Sequence, residues 1–368
     1  MTTSRVISRR FSKTIYVGNV AIGGNAPIVV QSMTKTDTRD VASTISQINR
    51  LAEHGCEIVR VAIPDEEAAE ALSKIKRMST LPIIADIHFD YRLALRALAA
   101  GADGLRLNPG NIRDPEQIKK IVHEAKQRQI PIRIGVNAGS LPPTPHKQQK
   151  PIVDHMVDSA LAEIRLLEDL GFDLIKISLK AFDVPTTIEA YKRIANLTQY
   201  PLHIGITEAG LPGAGTIRNA VGIGILLWEG IGDTIRVSLS ADPCEEVDTA
   251  YEILKSLNIR QRGPILVSCP SCGRAEVDII SLAKAVNDWL KQMPWATIKV
   301  AVMGCVVNGP GEARDADVGI ACGKGKAAVF RKGKVVRTIT EADFLSAIMA
   351  EIRQCIEEEN EMKGDKRE

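Results

Sequence analysis

The chain contains no long apolar stretch and almost no excess of charge. Its 368 residues carry 47 Lys and Arg against 45 Asp and Glu, a formal net charge of +2. This balance argues against a protein that binds nucleic acid through its overall charge, but it is compatible with a local basic pocket. No apolar run approaches the roughly 20 residues that a membrane-spanning helix needs. We therefore expect neither a nucleic-acid partner nor a membrane association.

The start of the sequence also lacks the apolar core of a secretory signal. Its first residues are rich in Ser and Arg, and we interpret them as a basic arm that leads into a hairpin at "TIYVGNVAIGG". The seven cysteines form an odd number. Without an export signal, this count indicates the reducing cytoplasm, where disulfides are rare.

What the chain does contain is a regular alternation of short β-branched runs and helical segments. The helical segments carry apolar residues at helical spacing and commonly end in Gly, a usual helix stop. Strand and helix repeated eight times predict a TIM-type (β/α)8 barrel, with an open doubly wound sheet as the alternative. The predicted strands cover residues 28–33, 57–63, 82–87, 104–109, 131–137, 174–179, 201–206 and 234–239.

The alternation ends at "NIRQRGP", residues 258–264. Beyond it we predict strands at "ILVSCP" and "IKVAVMGC", a helix over 276–293, a hairpin at "AAVFRKGKVVRTIT" and a final helix from about Glu341. The sequence thus predicts an α/β chain in three parts. They are a barrel domain over 1–262, a smaller α/β domain over 263–358 and a charged tail over 359–368.

Cationic side chains collect at the carboxyl ends of the predicted barrel strands, where this fold places its active site. Such charges repel one another unless an anion neutralises them, and arginine forks suit phosphate. The pocket therefore indicates a highly anionic ligand, although any one arginine could instead pair with a neighbouring acid. The four converging cations are Arg60, Arg106, Arg133 and Lys180.

The loops after the last two barrel strands support a phosphate site. "TEAGLPGAGT" is rich in Gly, and "SLSADP" offers Ser238 together with backbone donors. Glu208 lies among the glycines and is a candidate general acid or base, with pairing to an arginine as the alternative. We expect Lys176 to face the helices and His88 to be a supporting or core residue.

The second domain carries a CxxC pair, Cys269 and Cys272, and a third cysteine, Cys305, ahead of "NGPGE". A structural zinc site needs four ligands, usually in two pairs, and the second pair is missing. An incomplete thiolate set suits an iron–sulfur cluster with an unusual fourth ligand. Spacing alone leaves zinc and cluster both open, with Cys322, a carboxylate or nothing as the fourth ligand. The remaining cysteines, expected to be inert small hydrophobes, are Cys56, Cys244 and Cys355.

Several long motifs together resemble one family. They are "VQSMT", "ADIHFD", "LRLNPGN", "RIGVNAGSL", "ITEAG", "GIGDTIRVSL", "SCPSCGR" and "VMGCVVNGPGE". The pattern is similar to the bacterial 4-hydroxy-3-methylbut-2-en-1-yl diphosphate synthase family, iron–sulfur oxidoreductases of the methylerythritol phosphate route to isoprenoids. The match runs from about Gln31 to the end of the second domain.

The resemblance implies a [4Fe-4S] cluster held by Cys269, Cys272, Cys305 and the carboxylate of Glu312. It implies reductive ring opening and dehydroxylation of 2-C-methyl-D-erythritol 2,4-cyclodiphosphate, with two electrons from reduced flavodoxin or ferredoxin, in a head-to-tail homodimer. Glu208 and Glu312 become the catalytic candidates. The implied substrate contacts are Arg60, Arg106, Asn108, Arg133, Asn137, Lys180, Glu208 and Ser238, with Asn308 from the second domain.

The chain departs from the family pattern at one place. Many relatives have Lys-Ser where this chain has Arg218-Asn219, which puts a phosphate contact from Asn219 in question. Two other functions also fit parts of the sequence. One is a phosphate-binding barrel lyase or synthase with a structural zinc module, which metal content would distinguish. The other is an electron-transfer protein, which does not explain four convergent cations.

Overall fold

The computed structural model describes the chain apart from residues 1–6, 89, 108–111, 113, 142–149, 306–310, 312–313 and 365–368. The chain divides into two units, Met1–Arg260 and Gln261–Glu368. Within the described part of the chain, no helix is both long enough and apolar enough to cross a bilayer.

Eight parallel strands of the first unit form a barrel, in the order β8-β7-β6-β5-β4-β3-β10-β9. A bridge between Ile177 and Leu202 joins β8 to the residue before β9 and completes the circle. All eight predicted strands are confirmed, although β9 and β10 are short. The strands are β3 (Val29–Met33), β4 (Ile58–Ala62), β5 (Ile83–Ile87), β6 (Gly104–Leu107), β7 (Ile132–Asn137), β8 (Ile175–Lys180), β9 (His203–Ile204) and β10 (Thr234–Ile235).

A helix follows each barrel strand and packs on the outside. Six of the eight begin after an Asp whose side chain accepts an N–H of the first turn, which fixes where each strand-to-helix loop ends. The apolar faces of the helices and the outward residues of the strands form the main core. The helices are α1 (Val41–His54), α2 (Glu66–Met78), α3 (Tyr91–Ala99), α4 (Pro115–Gln127), α5 (Ile152–Asp169), α6 (Val184–Leu197), α7 (Ala214–Trp228) and α8 (Pro243–Ser256).

The predicted N-terminal hairpin is present and consists of β1 (Ile15–Val17) and β2 (Val20–Ile22). Its apolar residues form a separate small core with Val29, Ile58 and Ile84, which lie near the starts of β3, β4 and β5. The hairpin therefore closes the amino end of the barrel with apolar contacts. The opposite, carboxyl end is where this fold places its active site.

In the described part of the second unit, two long helices pack on one face of a five-stranded sheet. β11 (Ile265–Ser268), β12 (Lys299–Met303) and β13 (Val318–Gly323) are parallel, and β14 (Lys326–Arg331) and β15 (Lys334–Thr340) complete the sheet as antiparallel strands. Helices α9 (Ile279–Leu290) and α10 (Phe344–Gly364) form a core with the sheet. The sequence prediction missed β13, whose "VGIACG" contains two glycines and few strand formers.

Candidate active site

Inward-facing charged side chains form a row across four neighbouring strands. The strand register pairs Asp86 with Arg106, Arg106 with Arg133, and Arg133 with Lys176. Each of the four side chains is almost fully buried. Because register neighbours that face the same way crowd together inside a barrel, the row concentrates three cations beside one carboxylate.

Asp86 links two of the predicted arginines. Its Oδ1 accepts a hydrogen bond from Arg106 Nη1 at 3.1 Å, and its Oδ2 lies 3.5 Å from Arg60 Nε and 3.6 Å from His88 Nε2. Burial raises the pKa of Asp86, but Arg60, Arg106 and Arg133 outweigh that effect and hold the pKa below its ordinary value. The carboxylate therefore stays ionised, and it can neutralise only part of the surrounding positive charge.

Several guanidinium nitrogens inside the barrel have no hydrogen-bond partner among the described residues. They are Nε of Arg106, Nε and Nη1 of Arg133, and Nε of Arg236. A buried donor without a partner costs on the order of 1–3 kcal/mol, more when it is charged. Burial, then the charges of Arg60 and Arg106, lower the pKa of Arg133 well below its ordinary value. An anion in the barrel would accept hydrogen bonds from these nitrogens and would stabilise the charged form of Arg133.

The two lysines of β8 lie in the same cationic interior. Lys180 Nζ is 3.4 Å from His203 Nε2, and Lys176 Nζ is 3.5 Å from Gln31 Oε1. The expectation that Lys176 faces the helices was wrong. Every second residue of a strand faces the same way, so Lys176 and Lys180, four residues apart on β8, share a face. Burial, then Arg133, lower the pKa of Lys176 to about 7 and that of Lys180 well below its ordinary value.

Two glycines make room for these cations. A Cβ at Gly135 would lie 3.0 Å from Arg106 Nε, and a Cβ at Gly205 would lie 2.3 Å from the backbone oxygen of Arg236 and 2.9 Å from Lys180 Nζ. Both glycines lie inside the barrel, where side chains normally fill the volume. The missing side chains leave space for long, charged ones.

At the barrel mouth, Asn137 and Glu208 line one cavity of about 550 Å³, together with Phe182 and Thr207. Glu208 is exposed and has a φ of 54°, in the left-handed region that glutamate rarely adopts. Such backbone strain is concentrated at functional sites. The structure thus brings two of the predicted site residues to the same opening.

The loop after β10 is fixed by protein contacts. The N–H of Ser238 donates to Asn219 Oδ1 at 3.3 Å, that of Leu239 to Glu246 Oε1 at 3.0 Å, and that of Ser240 to Gly210 O at 2.9 Å. These three N–H groups, which the sequence analysis counted among the backbone donors for phosphate, are taken by protein acceptors. Ser238, a partly exposed residue, can still offer its hydroxyl.

The predicted site left out three residues, of which His203 and Glu246 are buried and Arg236 is partly buried. Arg236 lies two residues before Ser238, and its Nη2 is 3.6 Å from Glu246 Oε2. Since every second residue of a strand faces the same way, the predicted strand already placed Arg236 on the same face as Ser238. His203 and Glu246 gave no signal, because their partners come from distant parts of the sequence.

The three predicted cysteine ligands lie together in the second unit. Cys269, Cys272 and Cys305 line one cavity of about 190 Å³, and Cys269 Sγ accepts the N–H of Gly304 at 3.2 Å. Cys269 and Cys305 follow neighbouring parallel strands, β11 and β12, which explains their proximity.

Three thiol side chains around one cavity are a donor set of the kind that binds iron–sulfur clusters. Across the described part of the chain, no three His, Cys, Asp or Glu side chains converge as ligands of one metal ion would. Thiolates of a four-iron cluster each bind a different iron, so they stand farther apart than the ligands of one zinc. Cys322 is fully buried on β13, in the core between the sheet and its helices. Three predicted site residues, Asn108, Asn308 and Glu312, lie outside the described residues.

Comparison with known proteins gives matches over both units. The model of the GcpE TIM-barrel domain matches residues 12–251, and that of the GcpE protein C-terminal domain matches residues 265–354. Proteins named 4-hydroxy-3-methylbut-2-en-1-yl diphosphate synthase (flavodoxin) are similar over almost their whole length. The one from Dehalococcoides mccartyi is 62% identical over 350 residues, covering 94% of this chain and 99% of the relative. The one from Geobacter sulfurreducens is 57% identical over 350 residues, covering 95% and 99%.

A solved structure resembles the barrel more distantly. Dihydropteroate synthase from Stenotrophomonas maltophilia superimposes with a TM-score of 0.51 at 12% identity, covering 67% of this chain and 97% of that protein. At this identity the likeness concerns the fold alone.

Proposed function

The chain belongs to the GcpE family of 4-hydroxy-3-methylbut-2-en-1-yl diphosphate synthases, and from this premise we propose how its residues carry out the family's reaction. The chain is an oxidoreductase of isoprenoid biosynthesis. Its proposed substrate is 2-C-methyl-D-erythritol 2,4-cyclodiphosphate, whose ring is opened and one hydroxyl removed reductively with two electrons.

The observation that carries the proposal is the set of buried guanidinium donors without partners in the barrel. Arg106, Arg133 and Arg236 each present at least one such nitrogen, and Asp86 balances only part of their charge. A cyclic diphosphate supplies the missing negative charge and several acceptor oxygens. We assign the phosphates to these arginines with Arg60 and Lys180, and we place Asn137, Ser238 and Glu208 around the same ligand.

Glu208 has the position of a proton-transfer group. It is exposed at the mouth, it lines one cavity with Asn137, and its backbone has a strained φ of 54°. In the proposed complex its carboxyl group, once protonated, delivers that proton to the substrate oxygen that leaves. Asn108 and Asn308, which the family resemblance implies, complete the proposed set of contacts.

The cysteine cavity is the proposed site of a [4Fe-4S] cluster. Cys269, Cys272 and Cys305 would hold it with the carboxylate of Glu312, and when bound it supplies electrons one at a time. Flavodoxin, which the names of the relatives include, is the proposed electron donor, with ferredoxin as the other candidate. All seven cysteines lie among the described residues and none forms a disulfide, which accords with the proposed cytoplasmic location.

We also propose that the protein is a homodimer, the head-to-tail assembly that the resemblance implies. One face of α7 carries Ile217, Val221, Ile225 and Trp228, each between 40% and 64% exposed. Their spacing of three and four residues forms a continuous apolar stripe, of a kind that single soluble chains seldom expose. Sedimentation of Val221→Glu against the unaltered protein tests this surface, because a buried charge there should release monomers.

The decisive experiment combines metal analysis with turnover under anaerobic conditions. The purified protein should contain iron and acid-labile sulfide and should convert the cyclodiphosphate when supplied with a strong one-electron reductant. Alanine at Cys269, Cys272 or Cys305 should remove both the cluster and turnover. Cys355→Ala, in the helix-side core, is the matched control and should retain both. Zinc in place of iron would instead favour the lyase or synthase alternative with a structural zinc module.

A further inference from the structure

Asn219 makes a two-point contact with a single residue of the proposed substrate site. Its side chain is fully buried on α7. Nδ2 donates to Ser238 O at 3.1 Å and to Gly215 O at 2.9 Å, and Oδ1 accepts the N–H of Ser238 at 3.3 Å. The amide thus pairs with Ser238 as a neighbouring strand would, engaging both its N–H and its carbonyl.

The contact between Asn219 and Ser238 lies just beyond the backbone hydrogen bonds that join β10 to β9. The last ladder-like hydrogen bond near β10 runs from the N–H of Arg236 to Ile204 O at 3.0 Å. Two residues later, Ser238 is held by the Asn219 side chain, which substitutes for the missing strand partner. The next residue, Leu239, is held by Glu246 of α8. Helices α7 and α8 therefore fix the path of the loop by side-chain contacts.

The orientation of the amide follows from its partners. Two carbonyl oxygens face Nδ2 and one N–H faces Oδ1, so the reversed amide would place donor against donor and acceptor against acceptors. Both donors of the amide are consumed by protein carbonyls. The side chain has no hydrogen left to offer a phosphate.

We propose that Asn219 is a positioning residue, which sets the direction of the Ser238 hydroxyl toward the anionic ligand without touching that ligand. The proposal rests on the proposed function, in which Ser238 contacts the diphosphate. It answers the question raised by Arg218-Asn219. The asparagine acts through the loop, and Arg218 is engaged elsewhere by Ala209 O at 2.8 Å and by the Phe182 ring at 5.2 Å.

The test is a double-mutant cycle on the cluster-loaded protein, with the equilibrium dissociation constant of the cyclodiphosphate as the readout. Asn219→Asp keeps the shape of the side chain but removes both donors, and Ser238→Ala removes the hydroxyl that is being positioned. We expect each single variant to bind about ten-fold more weakly. The double variant should bind no more weakly than the weaker single one, because a misdirected hydroxyl and a missing one are equivalent. Iron content should remain unchanged throughout.

A charge control and a second Asn219 variant accompany the double-mutant cycle. Asn196→Asp adds the same charge on the exposed face of α6 and should leave binding unchanged. If Asn219→Asp does not fold, Asn219→Ser enters the same cycle, since its short side chain cannot span both backbone groups. Additive losses in the double variant, or normal binding by the Asn219 variants, would overturn the positioning role. Normal binding by Ser238→Ala, with weak binding by an Arg133 variant, would remove Ser238 from the site and overturn this inference while sparing the proposed function.

Discussion

Lys180 Nζ lies 3.4 Å from His203 Nε2, and both side chains are buried inside the barrel. The opposite ring nitrogen, Nδ1, lies 2.7 Å from Thr234 Oγ1. Burial, then the charge of Lys180, lower the pKa of His203 well below its ordinary value, so the ring is neutral. Nε2 then accepts from the lysine and Nδ1–H donates to the threonine. His203 therefore fixes where the Lys180 nitrogen points.

Replacing His203 should weaken catalysis through Lys180. We expect His203→Phe, which removes the acceptor but keeps a ring, to reduce kcat/KM by about ten-fold, since a hydrogen bond to a charged group is worth about 1.5–3 kcal/mol. His203→Gln, whose amide oxygen can accept, should recover part of the loss. His123→Phe, on the exposed face of α4, is the control. Equal activity of the Phe variant and the unaltered protein would contradict this role.

Removing an arginine from the charged row should weaken binding of the anion. We expect Arg106→Ala and Arg133→Ala each to lose about 1.5–3 kcal/mol of substrate affinity, the usual worth of a charge-assisted hydrogen bond. Calorimetric titration measures the loss, and iron content checks that the second unit is intact. Arg128→Ala, exposed at the end of α4, should bind normally. Normal affinity in both site variants would place the anion elsewhere.

Substrate binding should take up protons. The pKa values of Lys176 and Lys180 are lowered by burial and then by the cations around them. A bound anion favours the charged form, so both pKa values should rise in the complex. Titration near pH 8 in buffers of different ionisation enthalpy should show an uptake of about one proton or more. The uptake should fall in Lys176→Met, and a binding enthalpy independent of the buffer would refute the idea.

The same lysine should make stability depend on pH in a defined direction. The pKa of Lys176 is about 7 in the folded protein and about 10.4 in an unfolded chain. Between these values the unfolded state binds more protons, so this residue makes stability rise with pH.

Lys176→Met removes that dependence and serves as the reference. The variant should be the more stable protein near pH 7, and its advantage should shrink by at most about 1.4 kcal/mol per pH unit toward pH 10. Thermal unfolding should be followed in a buffer free of phosphate, which would occupy the barrel. A constant difference between the two proteins across this range would contradict the inward, buried position of Lys176.

Glu312→Gln separates an iron ligand from a surface or capping glutamate. A neutral amide oxygen binds iron far more weakly than a carboxylate does, so we expect a folded protein with a labile cluster and turnover lower by about ten-fold or more. Electron paramagnetic resonance of the oxidised variant should reveal a three-iron species. Glu341→Gln, exposed before α10, is the control. A stable four-iron cluster with unaltered turnover would reopen the identity of the fourth ligand.

The sequence determined the fold because its information is local and periodic. Eight β-branched runs separated by amphipathic helices, most of them opened by an Asp cap, allow few arrangements other than a parallel barrel. The same periodicity located the ends of the strands, and hence the arginines at the mouth. The sequence placed Cys269 and Cys305 at the ends of two predicted strands, and the structure brings them with Cys272 to one cavity because those strands are neighbours.

The tertiary structure decided what depends on residues far apart in the chain. Asp86 neutralises part of the charge of Arg106, and His203 meets Lys180, only because the barrel closes and its strands take one register. The loop after β10 looked like a source of backbone donors. Helices α7 and α8 bring Asn219 and Glu246 to those N–H groups. No local sequence pattern predicts that the Asn219 side chain binds the backbone of Ser238, 19 residues away. Hydrogen bonding between distant segments, and the burial that strengthens it, is set by packing and is absent from the linear sequence.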